Sequence, residues 1–484
     1  MRNGFEHLPK DKRKKILLLS DDLRMPSGVG VMSKEIVLST CHHFNWVQVG
    51  GAMKHNEQGK IVNMDKAVAD AAKVEDASLL IYPHSGYGNP DLIRYILQQE
   101  KPDAIMHFTD PRFWVWLYQM EHEIRSKVPL VYYNIWDDLP YPIYNESYYE
   151  SCDLLLGISK QTVNINKVVI GHKKNDWQFQ YVPHGINSTA YHPISESSPE
   201  YTELLKKKEQ LFKDKDVEFV VMYNSRNIRR KMLSDIIVAF KMFVDSLPKE
   251  KAEKCYLVLH TTPIDDAGTD LYQVIDKLAK GANIVLHTAK VSEFELNLIY
   301  NLADVTINMS SAEGWGLGNT ESLMSGTMTI TNTLGGLQDQ SRFVDENGEW
   351  IKFTPEFPSN SCGRYKQCGE WTLPLYPISS LVGSVPTPYI YDTRAKISDA
   401  VMALTECYNM GSDERKRRGL LGREWVTSNE SMMSSEKMGE NFMRYLNLLF
   451  EKWIPRKQFE LIQTNIDKPK RPAGIYNELI KTWY

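Results

Sequence analysis

Residues 305–326 read VTINMSSAEGWGLGNTESLMSG. A short β-branched run ends in a glycine-rich turn, and the turn opens a helical stretch that begins near Leu317. A strand feeding a helix through such a turn is the unit from which parallel α/β sheets are built. A helix starting there directs the backbone N–H groups of Gly316, Leu317 and Gly318 at one point, where its dipole favours a phosphate. Glu313 lies on the turn and Glu321 about one helical turn beyond it. The pair reads either as acceptors for the hydroxyls of a sugar and a ribose, or as acidic charge placed to suit a helix start.

The same grammar repeats on both sides of this stretch. VEFVVMYN (217–224), YLVLHT (256–261), NIVLHT (283–288) and TMTITN (327–332) are further strands separated by helical segments. An earlier series, KILLLS (15–20), SLLIYPH (78–84), AIMHF (104–108), PLVYYNIW (129–136) and LLLGIS (154–159), has the same alternation. Two doubly wound α/β units follow, joined through the Pro-, Gly- and Asn-bearing VPHGINSTAYHP (182–193). The expected domains are 1–190, 191–440 and a helical tail, 441–484, returning to the first unit. Between 353 and 389 the chain turns rich in Pro, Gly, Ser and aromatics with no helical period, and an irregular insertion is expected.

Length agrees: a chain of 484 residues exceeds the roughly 250–300 that one core serves. With 42% hydrophobic and 24% charged residues the composition is that of a folded globular protein, which argues against a disordered or fibrous chain. The formal net charge of −4 gives no global basic field of the kind dedicated nucleic-acid binders often carry. The polar, basic start and the lack of an apolar run near ~18 residues predict neither a secretory signal nor a membrane span. Six scattered cysteines read as reduced thiols, and the expected compartment is the cytoplasm. Cys362 and Cys368 lack a zinc-binding pattern.

Paired doubly wound units place their ligand crevice at the carboxyl ends of the strands, so the loops there carry the chemistry. After the first strand comes SDDLRMPSGVGVMSKE (20–35), where Gly28 and Gly30 open a helix, serving either anion binding or tight packing. After strand 217–224 comes SRNIRRK (225–231), whose Arg226 and Lys231 can neutralise a diphosphate, Arg as a fork and Lys as a point charge. A solvated charge run is the plainer reading.

EGWGLGNTE resembles the two-glutamate signature, seven residues between the glutamates, of retaining GT-B glycosyltransferases akin to sucrose synthases and bacterial mannosyl- and glucosyltransferases. In order, PSGVG is similar to that family's glycine-rich donor loop, GISKQT and VPHGIN to motifs before the interdomain linker, and SRNIRRK to its diphosphate clamp. The resemblance spans roughly residues 15–350. It implies two Rossmann-like domains facing across a donor cleft, and metal-independent transfer of a hexosyl or pentosyl group from a nucleoside-diphosphate sugar, a UDP-sugar being favoured, with retention. Arg226 and Lys231 would hold the diphosphate, Glu321 the ribose, Glu313 the transferred sugar, and Gly28 would let the first domain's backbone approach the phosphates. Many relatives carry a histidine where this chain has Trp136, Asp137 and Asp138. Asp137 or Asp138, assisted by His107 or Asp110, is expected to take its part, although caps and loop hydrogen bonds would explain each as well. A metal shared by Asp137 and Asp138 is disfavoured, since neighbouring strand residues point to opposite faces.

The acceptor is less legible. Basic runs at 10–15, 172–174, 414–423 and 468–472 can meet phosphates if they converge on one face, and the chain's style resembles virus-encoded members of the family that modify DNA. Duplex DNA bearing hydroxymethylated pyrimidines is one expectation. A polysaccharide, lipid-linked glycan or small molecule is the alternative, and a non-catalytic nucleotide-sugar-binding module a reading of another class. Oligomeric state is not readable.

Overall fold

All ten apolar runs, with four further stretches, become strands of two twisted sheets in a computed structural model that describes residues 5–457. The first sheet comprises β1 (Lys14–Asp21), β2 (Phe44–Met53), β3 (Val62–Asn63), β4 (Leu79–Ser85), β5 (Ala104–Phe108), β6 (Leu130–Asn134), β7 (Leu154–Gly157) and β8 (Phe179–Tyr181). Its spatial order is β3-β4-β2-β1-β5-β6-β7-β8, parallel throughout except for β3 against β4. The second sheet comprises β9 (Phe219–Asn224), β10 (Cys255–His260), β11 (Ile284–His287), β12 (Val305–Asn308), β13 (Met328–Asn332) and β14 (Thr372–Leu375), in the all-parallel order β11-β10-β9-β12-β13-β14.

Helices cover both faces of these sheets, so Ile16, Leu17, Leu18 and Leu19 are all fully buried; continuous aliphatic runs are what a sheet covered on both faces requires. In each sheet the strand order reverses once, between β1 and β5 and between β9 and β12. Doubly wound sheets bind ligands at that reversal. The loops leaving β1, β5, β9 and β12 are the glycine turn at Gly28, the Asp110 segment, the SRNIRRK loop and the Glu313 turn.

The segment 353–389 differs from the irregular insertion expected for it. It supplies β14 and most of an antiparallel hairpin, β15 (Ile378–Ser384) and β16 (Thr387–Arg394). Pro374, Pro386 and Pro388 hid these strands: proline interrupts a strand pattern, yet an edge strand such as β14 and a two-stranded ribbon tolerate it. The helix Ser435–Lys452 lies against the helix Gly28–Thr40 of the first unit, and the contact requires Gly439, where a Cβ would come within 2.7 Å of Ser39. The tail helix expected over 474–483 and the basic run 468–472 lie outside the described residues. The six cysteines are free, with Cys362 exposed and Cys41, Cys152, Cys255 and Cys407 buried. Among the described residues no helix is long and apolar enough to cross a membrane.

Candidate functional site

A cavity of about 1260 Å³ lies between the two sheets. It is lined by Gly28, Asp110, Asp137 and Asp138 from one side and by Arg226, Arg230, Lys231, Glu313 and Glu321 from the other. Two helix starts meet across it. The helix Gly28–Thr40 is capped by Ser27, whose hydroxyl accepts from Gly30 N at 3.0 Å. The helix Leu317–Met324 begins from Gly316, held at φ +86°, a left-handed conformation that glycine adopts without strain. A Cβ at Gly28 would lie 3.4 Å from Leu317 Cδ1, and one at Gly30 only 2.6 Å from the Met25 carbonyl. Gly28, Gly316, Leu317 and Gly318 therefore line one cleft from two helix starts, whereas Gly30 does not line it: its N–H is taken by Ser27, and its missing side chain makes room for the Met25 and Asp22 carbonyls.

Beside them lies a charged cluster. Lys231 Nζ donates to Glu313 Oε2 in a buried ion pair, and Ser310 Oγ donates to the same oxygen at 3.2 Å. The two loops are tied by Ser311 N donating to Arg230 O at 2.8 Å. Burial pushes the Glu313 carboxyl up, but Lys231 and Arg230 outweigh it and hold it below its ordinary value. For Lys231 burial wins and the ammonium sits below its usual range despite Glu313. One helical turn on, Glu321 Oε2 accepts from Tyr300 Oη at 2.8 Å and from Asn224 Nδ2 at 3.2 Å. Burial pushes Glu321 up to about 7, the more so with Glu293 near.

Asp137 and Asp138 lie on the loop beyond β6, not on a strand, and both face the cleft, so the argument from alternating strand faces does not apply to them. Gln161 Nε2 donates to Asp137 O at 2.6 Å and Trp136 Nε1 to Asp138 O at 2.9 Å, which fixes the loop. Asp137 Oδ2 lies 3.9 Å from where a Gly314 Cβ would be, beside the Glu313 turn. Burial pushes Asp137 up to about 6, against the pull of Arg230; burial and then the charge of Asp137 push Asp138 well above the carboxylate range. Two carboxyls this close share protons rather than ionise together. Among the described residues no group of three or more His, Cys, Asp or Glu side chains is placed to hold a metal.

His107 is not brought to the cleft. It is buried in β5, with Nδ1 against Tyr118 Oη at 2.8 Å, Nε2 against Thr109 Oγ1 at 2.9 Å, and its ring stacked on Tyr132 at 4.9 Å. Burial lowers it to about 3, so it is neutral and its nitrogens are occupied. The expectation that His107 assists catalysis is corrected accordingly. Arg226 lines the cleft mouth, largely exposed and forked onto Asp265 at 2.8 and 3.2 Å. Arg230, passed over in the same loop, faces Glu313, Asp137 and Asp138; burial depresses its guanidinium, but those carboxylates raise it further.

Other lining residues were missed. Glu35, on the inner face of the Gly28–Thr40 helix, is pushed up to about 7 by burial. His184, in VPHGIN, is bonded to Tyr133 Oη at 2.8 Å and kept neutral by burial. Val382, Ser384, Thr387 and Ile390 come from the hairpin. Arg230 was legible as part of a basic run after a strand. The hairpin residues carried no signal until the strands themselves were seen.

Solved structures share this architecture over nearly the whole chain. A glycosyltransferase from Rickettsia africae superposes with TM-score 0.59 at 15% identity, covering 90% of this chain and 99% of that one. The fold is GT-B. Sucrose-phosphate synthase from Thermosynechococcus elongatus gives TM-score 0.63 at 14% identity over 91% of this chain and all of that one. Anabaena HepE in complex with UDP and glucose gives 0.61 at 12% over 90% and 100%. In sequence, an alpha-monoglucosyldiacylglycerol synthase from Acholeplasma laidlawii is 29% identical over 182 residues, 37% of this chain and 41% of that protein. The chain thus matches about two fifths of the length of that curated relative. No protein-family model matches the chain.

Proposed function

We propose that this GT-B chain is a retaining glycosyltransferase that moves a sugar from a UDP-sugar to the hydroxyl of a neutral acceptor. The observation that carries the reading is the buried Lys231–Glu313 pair, set beside Arg230 and a helix start and facing Asp137 across the cleft. In this reading Lys231, Arg230 and Arg226, with the Leu317 helix start, take up the negative charge that grows on the diphosphate as the bond from the sugar's anomeric carbon to phosphate breaks. Glu321 receives the ribose hydroxyls and Glu313 those of the transferred sugar. The acceptor oxygen bonds to the anomeric carbon on the face the diphosphate leaves. Its proton passes to the leaving phosphate oxygen or to Asp137. No metal is required, because cations of the chain itself neutralise the phosphates. The HepE structure with UDP and glucose supports UDP as the nucleotide, and the name of the α-glucosyl lipid synthase agrees with an α-configured product.

The acceptor is drawn away from duplex DNA by the charges. The run 10–15 is tied to acids, Lys10 to Asp65, Arg13 to Asp76, Lys14 to Asp103 and Lys15 to Glu100. Lys173 pairs with Glu150, Arg415 with Asp304, Arg417 and Arg418 with Glu414. The first unit's wall of the cleft presents Asp110, forked by Arg112, and the carboxyls of Glu35, Asp137 and Asp138, which burial raises above their ordinary range and which suit the hydroxyls of a polyol. A glycan, glycolipid or small glycoside is therefore the proposed acceptor. The test is incubation with labelled UDP-glucose and UDP-galactose, with UDP release, product mass and anomeric configuration by NMR as readouts. An α-linked product from the α-configured donor is expected. Absence of UDP binding by calorimetry at millimolar concentration would favour a module of another class, a β-linked product would refute retention, and steep, salt-sensitive binding of duplex DNA would restore the DNA acceptor.

A further inference from the structure

The loop that carries Asp137 and Asp138 belongs to the β1–β8 unit, yet it is tied at two points to the β9–β14 unit. Beyond Asp138, Leu139 O accepts from Tyr391 N of β16 at 2.7 Å. Two residues further along β16, Thr393 N donates to Ser311 O at 3.2 Å, and Asn332 Nδ2 donates to Thr393 O and to Ser310 O, each at 2.9 Å. A stretch of three residues thus runs from the carboxyl loop to the turn that carries Glu313.

At Asp137 itself the tie passes through two buried amides. Gln161 lies in the first turn of the helix Lys160–Ile170, and Gln338 in the helix Gly335–Ser341 of the other unit; both are buried. Gln338 Nε2 donates to Gln161 Oε1 at 2.9 Å, and Gln161 Nε2 donates to Asp137 O at 2.6 Å. The direction of this chain is fixed where it starts. Gln338 Oε1 accepts from Asn360 N at 2.7 Å, and a backbone N–H can only donate, so the Gln338 amide turns its own N–H groups toward Gln161. Gln161 is turned in the same sense, which directs its donor at Asp137 O. Beside it Thr162 Oγ1 donates to Trp136 O at 2.8 Å. The helix that bears Gln338 is seated on the Glu313 turn: Gly336 N donates to Gly314 O at 3.0 Å, and a Cβ at Gly335 would collide with Glu313 O. Buried amides cost free energy unless they are paired, and the pairing here fixes the place of one carbonyl. Neither glutamine belongs to the lining of the cleft.

We propose that Gln161 is a positioning residue for the transfer step: oriented by Gln338, it sets the Asp137 carboxyl against the sugar held at the Glu313 turn. This rests on the reading of the cleft as a sugar-transfer site, and of the two routes for the acceptor's proton it requires the one through Asp137. Arg226, Arg230 and Lys231 stand on the loop after β9, apart from this chain of amides, so donor binding and chemistry separate.

The experiment follows UDP release from labelled UDP-glucose or UDP-galactose, whichever is faster, with methyl β-glucopyranoside or water as acceptor. Turnover is referred to the UDP-binding fraction found by calorimetry, so that misfolded protein does not count. Gln161→Met should lower kcat by about tenfold or more, within the ~10²-fold that a misplacement of about 1 Å costs, while KM and UDP affinity stay within about twofold. Gln338→Met should cost less, and nothing further when added to Gln161→Met, because both substitutions interrupt one chain. In an Asp137→Asn background, where the carboxyl to be placed is gone, Gln161→Met should slow turnover by no more than about twofold. A glutamine that serves packing alone would lower the melting temperature and leave kcat per UDP-binding site unchanged, which overturns the proposal. So does full turnover in Asp137→Asn, or a loss from Gln161→Met that persists undiminished in that background; these outcomes leave the transferase reading intact. Failure of the unaltered chain to release UDP from either sugar would overturn that reading and this proposal with it.

Discussion

On the β9–β14 side of the cleft, Arg226, Arg230 and Lys231 gather around a helix start; on the β1–β8 side, Glu35, Asp110, Asp137 and Asp138 look back at them. Each wall is electrostatically strained in its own way. Lys231 is held below its ordinary range by burial, while burial pushes Asp137 up to about 6 and Glu35 up to about 7. In the proposed reaction the contrast orients the substrate pair: a diphosphate is drawn to the wall of Arg226, Arg230 and Lys231, which leaves the carboxyls opposite, raised by burial, for a hydroxyl. Charge asymmetry of this kind contributes more to specificity than to raw affinity.

The comparison breaks most readily at Lys231. Lys231→Ala removes the diphosphate's partner and strands Glu313 in a buried site. Turnover of UDP-sugar is expected to fall by about 10²–10³, the scale of losing one well-placed charge-stabilising group. Thermal stability should fall too, by about 3–5 kcal/mol for a broken buried pair. Glu313→Gln separates the two effects, because the amide keeps the shape. Kinetics and calorimetric unfolding on both variants check this; wild-type turnover in either would remove the pair from the mechanism.

A smaller difference separates two arginines of one loop. Arg226 is exposed and forked onto Asp265, whereas Arg230 faces Glu313, Asp137 and Asp138. Arg230→Ala is expected to lower kcat/KM about tenfold more than Arg226→Ala, which amounts to about 1.4 kcal/mol of transition-state stabilisation. The reverse ranking would return the diphosphate to the position that motif resemblance gives it.

The same contrast explains what could be read from the sequence. The donor wall is built from two continuous stretches, 223–231 and 310–326, in which strand, turn and helix start follow one another, so residue order already places Lys231 and Glu313 near a common point. The acceptor wall is assembled from Asp110, Asp137, Asp138 and a hairpin more than two hundred residues further on, and nothing local says that these meet. His107 was misplaced because β5 is buried on both faces; a strand without polar alternation does not reveal which way a side chain turns. The hairpin was concealed by its prolines, and Arg230 by a motif that names its neighbours.

Glu321 gives a prediction in the pH dependence of stability. Its carboxyl is raised from 4.5 to about 7 by burial, so the folded chain holds that proton more tightly than the unfolded chain. The stability linked to it is fully present below pH 4.5 and is lost as pH rises through 7. Glu321→Gln, which cannot ionise, should therefore match the unaltered protein near pH 4.5 and melt a few degrees higher at pH 8, while binding UDP more weakly. A variant less stable at pH 8 would mean that the ionised form is favoured by its bonds from Tyr300 and Asn224.

The smallest effect belongs to a contact in which the usual sense of the walls is inverted. Lys34, on the acidic side, pairs with Glu293 of the donor side at 2.6 Å, both side chains more than a third exposed. Such pairs are worth about 0.2–1 kcal/mol and weaken with salt. If the pair helps to hold the walls together, Lys34→Ala should weaken UDP-sugar binding no more than about fivefold at low salt, and the difference should vanish at high salt. Since Glu35 lies beside Lys34 and is raised by burial, removing the ammonium should push that carboxyl higher still and move the affinity's pH dependence upward. An effect that persists undiminished in salt would mean that the two walls are joined by packing, and that the charge pair merely decorates the seam.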